Sequence, residues 1–181
     1  MFDVDQLVDD CTRCLAEDDP LLAVRDVLDR AVERPDPLVE RFSRDTAGLE
    51  LLHNTPELTI LHIVWAPGMR LFPHDHRMWA AIGVYHGRED NEFFRRGEQG
   101  LGLVPSNGTT IDTSEVALLG RETIHAVANP GSVPTAALHV YGGDFVRQPR
   151  SQWVPPDYDE QPYDVAAVTR VFDEANAAWS R

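Results

Sequence analysis

His74 and His76 are separated by a single residue in the run Gly68-Met69-Arg70-Leu71-Phe72-Pro73-His74-Asp75-His76, directly after the apolar stretch Leu58–Trp65. On an extended chain, residues i and i+2 face the same way, so the two imidazoles project side by side. Neutral imidazole is a ligand for zinc, iron, copper and nickel, and a pair at this spacing forms half of a metal site. His125, in Gly120-Arg121-Glu122-Thr123-Ile124-His125, offers a third nitrogen. Three imidazoles on one ion leave coordination positions open, which is the requirement of a site that does chemistry on a bound ligand. Asp75 faces away from the pair and is expected to anchor a loop or a partner of a ligand.

Such ligands need a rigid frame. Short extended stretches separated by turn residues run from about Leu49 to Phe145: Leu49–Leu52, Leu58–Trp65, Ala80–His86, Asn91–Arg96, Thr109–Asp112, Ala117–Leu118, His125–Ala128 and Ala136–Tyr141. The turns carry Pro67-Gly68, Gly87, Gly97, Gly100, Asn107-Gly108, Pro130-Gly131 and Gly142-Gly143. Many short strands with such turns predict a sandwich or barrel. Residues 1–46 read as two or three short helices. Val4, Leu7, Val8, Cys11, Cys14 and Leu15 follow a helical period, and Asp19-Pro20 and Asp36-Pro37 are start signals. Residues 146–163 are polar and proline-containing and read as a surface wrap. Asp164–Ser180 returns to a helical period, with Val165, Val168, Val171, Phe172 and Ala175 on one face.

The chain of 181 residues is 43% hydrophobic and 25% charged, the composition of one globular domain with terminal additions. Its 16 basic and 30 acidic residues give a net charge of −14, which argues against a nucleic-acid or anionic-membrane partner. No apolar run reaches transmembrane length, and the acidic start Met1-Phe2-Asp3-Val4-Asp5 lacks a signal-peptide layout. The expected location is the cytoplasm, and the expected state a monomer or homodimer. Cys11 and Cys14 have C-x-x-C spacing but no second ligand pair, so they read as two thiols within a helix.

The spacing Gly68-x5-His74-x-His76, followed by Gly87, resembles the first cupin motif, and His125-x3-Asn129 resembles the end of the second. This resemblance implies a mainly β fold: a double-stranded β-helix, or jelly-roll barrel, with N-terminal helices and a C-terminal helix. It implies a single domain over 1–181, with helices in 1–46, barrel in 49–145, and wrap and helix in 146–181. The metal would sit in the barrel mouth. The Glu ligand of the general cupin pattern falls on Ala80 or Ala81, neither of which binds metal. A three-His site without a carboxylate is similar to that of the thiol dioxygenases, of which cysteine dioxygenase is the best known.

Three stretches extend that resemblance: His74-Asp75-His76-Arg77-Met78-Trp79, Ile82-Gly83-Val84-Tyr85-His86-Gly87-Arg88-Glu89, and Leu138-His139-Val140-Tyr141. It implies Fe(II) held by His74, His76 and His125, and oxidation of a small thiol by O2 to a sulfinic acid. It also implies an outer-sphere relay of His139 and Tyr141, with Tyr141 contacting bound substrate or oxygen. The departures are equally specific. The family's relay serine falls at Ala137, and the cysteine that crosslinks to the tyrosine in some members falls at Ala81. The arginine that holds the substrate carboxylate has no counterpart in Leu49-Glu50-Leu51-Leu52-His53-Asn54. Arg70 and Arg77 are the candidates to replace it. Two other readings stand beside this one. The first is a three-His dioxygenase that cleaves a carbon–carbon bond of a dicarbonyl. The second is a cupin that is not an oxygenase, an isomerase or a sensor, carrying zinc or nickel. His53, His62 and His86 read as structural or surface residues, and Trp65 and Trp79 as core aromatics. Glu122 either reaches the site or faces solvent.

Overall fold

The structure, a computed structural model, describes residues 2–98 and 102–180; the turn expected at Gly100 lies outside the described residues. Three helices precede the strands. Helix α1 (Val4–Cys14) is capped by Asp3, whose carboxylate accepts from the Gln6 N–H. Helix α2 (Pro20–Val32) is capped by Asp19, which accepts from the Leu22 N–H, with proline at its first position. Helix α3 (Asp36–Arg41) begins one residue ahead of the Asp36-Pro37 expectation, so Asp36 lies inside it. The strands are β1 (Gly48–Asn54), β2 (Thr59–Trp65), β3 (Arg70–Asp75), β4 (Ala80–His86), β5 (Arg88–Arg96), β6 (Leu103–Asp112), β7 (Glu115–Leu119), β8 (Ile124–Ala128), β9 (Thr135–Tyr141), β10 (Ser151–Trp153) and β11 (Glu160–Pro162). Helix α4 (Val165–Trp179) follows, capped by Asp164. No helix among the described residues is long and apolar enough to cross a membrane.

The strands form two antiparallel sheets in the orders β1-β2-β9-β4-β7 and β11-β10-β3-β8-β5-β6, the paired sheets of a jelly-roll barrel. Strands β2 and β9 are buried throughout, and β4 nearly so, which explains their continuous apolar runs. The two-residue period divides their side chains between two cores. Leu61, Ile63, Trp65, Ile82, Val84 and Tyr141 face the barrel interior, where Val168 and Phe172 of α4 join them. Ile60, Val64, Ala81, Tyr85, Leu138 and Val140 face outward, against Leu7, Cys11, Val24 and Leu28 of the helices. Cys11 and Cys14 are free, buried thiols in that second core, as their helical spacing predicts.

Two regions depart from the sequence reading. Arg70–Asp75 forms a strand that the expected set omits, because Pro73 removes a ladder N–H and masks the pattern. Its pairing with β8 slips between Leu71 and His74, so that three steps on β3 match two on β8. Such a bulge changes the parity of the strand and brings His74 onto the face that Leu71 occupies. The second region is 146–163, expected to wrap the surface. Ser151, Gln152 and Trp153 are instead buried in β10, which pairs with β3 through Gln152 opposite His74 and with β11 on its other side.

Candidate metal centre

Strand β3 delivers His74, the chain just beyond it His76, and the neighbouring strand β8 His125. His74 and His125 are direct partners in the β3–β8 register. One ligand nitrogen from each of the three lies within 4.8 Å of the others, and all three side chains are buried. His76 Nε2 and His125 Nε2 are 3.5 Å apart. Bonds of about 2.1 Å to one ion put two nitrogens about 3.0–3.4 Å apart for octahedral to tetrahedral angles, so this spacing fits a shared metal. Among the described residues no carboxylate joins the group.

Hydrogen bonds fix which nitrogen faces the centre. His74 Nδ1 lies 3.1 Å from the Phe72 carbonyl oxygen, an acceptor only, so Nδ1 carries the proton and Nε2 the lone pair. His125 Nδ1 lies 2.6 Å from Asn91 Oδ1, while the Asn91 amide N–H donates to Glu89 Oε1 at 3.0 Å. Burial holds His74 at about 4. Burial, together with the neighbouring imidazoles, holds His76 and His125 well below their ordinary value. All three are therefore neutral near pH 7 and fit a divalent cation.

The three histidines open on an interior cavity of about 20 Å³, closed by Leu71, His139, Tyr141, Phe145, Tyr163 and Phe172 among others. That is room for about one water molecule, so a larger ligand needs lining side chains such as the exposed Leu49 or the half-buried Phe145 and Tyr163 to move. Tyr141 stands edge-on to His76, with ring centres 4.9 Å apart. Its hydroxyl lies 3.2 Å from His139 Nδ1, and burial pushes its pKa up. The expected pair on the LHVY strand is thus brought to the metal group.

Arg70 and Arg77, the candidates for substrate binding, are not brought to the cavity. Arg70 pairs with Glu92 on the outer face of the barrel. Arg77 is exposed and bonds to Asp75, Ser151 and Glu160. The reason is local in both cases: Arg70 opens β3 on the face opposite Leu71, and Arg77 sits at positive φ in the turn after His76. The guanidinium at the site belongs to Arg150, which the sequence reading missed. Only 8% exposed, it lies between the rings of Phe145 (3.9 Å) and Tyr163 (4.0 Å), which both line the cavity. Its Nε and Nη1 are buried without a hydrogen-bond partner among the described residues. Nothing in the polar stretch around Arg150 marks it in the sequence, since its burial comes from the pairing of β10 with β3. Asp75 acts as the sequence predicts, turned away from the metal group and accepting from the Ser151 N–H at 2.7 Å. Glu122 is exposed and Trp65 is buried in the core.

No protein-family model matches the chain. Among solved structures, BH2720 from Bacillus halodurans superposes with a TM-score of 0.51 at 15% identity, over 75% of this chain and 89% of that one. An RmlC-like cupin family protein from Methanocaldococcus jannaschii, with a double-stranded β-helix fold, gives 0.47 at 17% identity, over 59% and 90% of the two chains. A Klebsiella pneumoniae protein with a double-stranded β-helix domain gives 0.46 at 16% identity, over 66% and 88%. The two antiparallel sheets make the fold a double-stranded β-helix barrel. At these identities the likeness is one of fold, and the function of the barrel rests on its own side chains.

Proposed function

We propose that this barrel binds Fe(II) through His74, His76 and His125 and uses O2 to oxidise a small thiol that also carries an acid group. The observation that carries the reading is a combination of neighbours: three neutral imidazoles with no carboxylate ligand among the described residues, and the buried guanidinium of Arg150, packed against two rings that line their cavity, whose Nε and Nη1 have no partner among the described residues. Iron held by His74, His76 and His125 would supply the binding of a thiolate and the activation of dioxygen. The overall conversion, RSH + O2 → RSO2H, passes four electrons from sulfur to dioxygen and needs no further reductant.

The chain's own residues bind and orient. Arginine stays charged even when buried, and an anionic group on the substrate satisfies the Nε and Nη1 donors of Arg150 while neutralising its charge. Phe145 and Tyr163 hold that guanidinium from both faces, which fixes where the substrate's acid group would sit relative to the three histidines. Tyr141, tied to His139, places its phenol oxygen beside His76, where it accepts from a donor on the bound ligand. Trp65, Leu71, Val127 and Phe172 line the remainder and keep bulk water out.

The test is oxygen uptake by protein loaded anaerobically with iron, run with cysteine, cysteamine, 3-mercaptopropionate and mercaptosuccinate. The expected result is uptake matched by sulfinate, with the acid-bearing thiols ahead of cysteamine. Imidazole alone does not select iron over its neighbours, so metal content is measured on the same sample. Tight retention of zinc or nickel with no uptake would favour a non-oxygenase cupin. Oxygen-dependent cleavage of a dicarbonyl would favour the carbon-oxidising alternative.

A further inference from the structure

Glu89 is fully buried in the barrel, two residues before Asn91 on β5, and the mechanism above does not use it. The two-residue period puts both side chains on the interior face. Glu89 Oε2 accepts from the Trp65 indole N–H at 2.8 Å, and Oε1 accepts from the Asn91 amide at 3.0 Å. His139 Nε2 lies 3.5 Å from the same Oε2 and has no hydrogen-bond partner among the described residues. Asn91 Oδ1 lies 2.6 Å from His125 Nδ1, and His139 Nδ1 lies 3.2 Å from the Tyr141 hydroxyl. Two chains of polar groups therefore converge on one carboxylate: His125–Asn91–Glu89 and Tyr141–His139–Glu89.

A carboxylate only accepts, and this propagates outward. Asn91 must turn its N–H toward Glu89, which leaves its oxygen for His125 and puts the His125 proton on Nδ1. His139 must carry its proton on Nε2, the nitrogen facing Glu89, so in the neutral ring Nδ1 accepts from the Tyr141 O–H. We propose that Glu89 is a positioning residue that sets the proton placement of the whole site. It exposes the His125 Nε2 lone pair to the metal through Asn91, and it turns the Tyr141 oxygen lone pairs toward the cavity through His139. Ala137, the position at which the thiol dioxygenase resemblance expects a relay serine, contributes only a methyl group, and Glu89 ends the relay from another strand. Burial alone would raise the Glu89 pKa, but the nearby His139 ring and the hydrogen bonds from Asn91 and Trp65 outweigh burial and lower it. The inference rests on the three histidines binding a metal, and not on the identity of the substrate.

The test is Glu89→Gln. With its carbonyl toward Trp65 and His139, the new amide presents N–H to the Asn91 N–H, so Asn91 turns over. Its amine then faces His125 Nδ1 and moves the His125 proton to Nε2, closing the metal position. Cobalt(II) titration is expected to show a 10–100-fold weaker site, the size typical of lost ligand support. Adding Asn91→Asp to that variant supplies an acceptor to both neighbours, and is expected to recover most of the affinity. Unchanged affinity in folded Glu89→Gln, or no recovery in the double variant, overturns the proposal. Nitrogen-15 spectra of the metal-free parent read the same point without mutation. They are expected to show protons on His125 Nδ1 and His139 Nε2, and the opposite tautomer at either ring overturns it. If the parent takes up no cobalt, the metal reading falls, and these spectra alone decide the network.

Discussion

The Arg150 guanidinium lies 4.0 Å from the Tyr163 ring centre, and the Tyr163 N–H donates to the Arg150 carbonyl oxygen at 2.9 Å. Side chain and backbone of the two residues thus lock together where β11 passes into α4. Phe145 covers the other face of the guanidinium. The charge is held by aromatic rings instead of a carboxylate, an arrangement that stabilises a cation while leaving N–H donors for a ligand.

Replacing Arg150 with Met separates the two consequences. A charge-assisted hydrogen bond contributes about 1.5–3 kcal/mol, so KM for acid-bearing thiols is expected to rise about 10–100-fold, while cysteamine turnover is unchanged. Removing a buried, unpaired charge relieves desolvation, so thermal stability is expected to hold or increase. Steady-state kinetics and a melting curve check both. Equal losses for cysteamine and 3-mercaptopropionate would show that Arg150 does not read the acid group.

His74→Ala removes one of three nitrogens, and iron binding is expected to disappear at micromolar metal. Metal analysis after desalting is the check. A variant that keeps full iron occupancy and activity would sink the metal assignment.

Stability of the metal-free protein is expected to fall on mild acidification. Burial holds His62 and His74 at about 4, against about 6.5 in an unfolded chain. Between these values the unfolded state binds more protons, so stability drops with falling pH. Each of the two contributes about 3 kcal/mol above pH 6.5, with about 2 kcal/mol of it gone by pH 5. His76 and His125 shift in the same direction. Urea unfolding at about pH 7.5 and about pH 5 measures the difference. His62, stacked on Phe42 and 2.7 Å from the Tyr85 hydroxyl, lies outside the metal group, so His62→Gln is expected to flatten part of the dependence. A midpoint that does not move with pH would contradict neutral burial of these rings.

Gly87→Ala is expected to cost about 2 kcal/mol or more. Gly87 turns β4 into β5 at φ 75°, and a Cβ there would lie 2.6 Å from the Pro134 carbonyl oxygen and 3.0 Å from Thr135 Cα. Both neighbours are backbone and cannot swing aside. The displaced chain is the one that carries Glu89, so metal affinity is expected to weaken along with the melting temperature. A variant with parental values of both would place the turn's importance elsewhere.

Ligand chemistry was legible in the chain because it depends on residue type and short spacing. His74, His76 and the His139/Tyr141 pair each need only the two-residue period to share a face. The runs of β2, β4 and β9 announce strands because both of their faces are buried. Asp19-Pro20 announces a helix start because capping is local. The partners of these groups were not legible. The bulge at Phe72-Pro73 that turns His74 inward depends on the register with β8. Arg150 is polar in a polar segment, and becomes a buried site residue only because Gln152 pairs with His74 and the Ser151 N–H reaches Asp75, 76 residues away in sequence. Glu89 gains its place from Trp65, Asn91 and His139, on three different strands. Residue type and local period set what each side chain can do. Which side chains meet, and with which proton on which nitrogen, is set by contacts between distant segments, where burial removes the competing water and makes each remaining partner decisive.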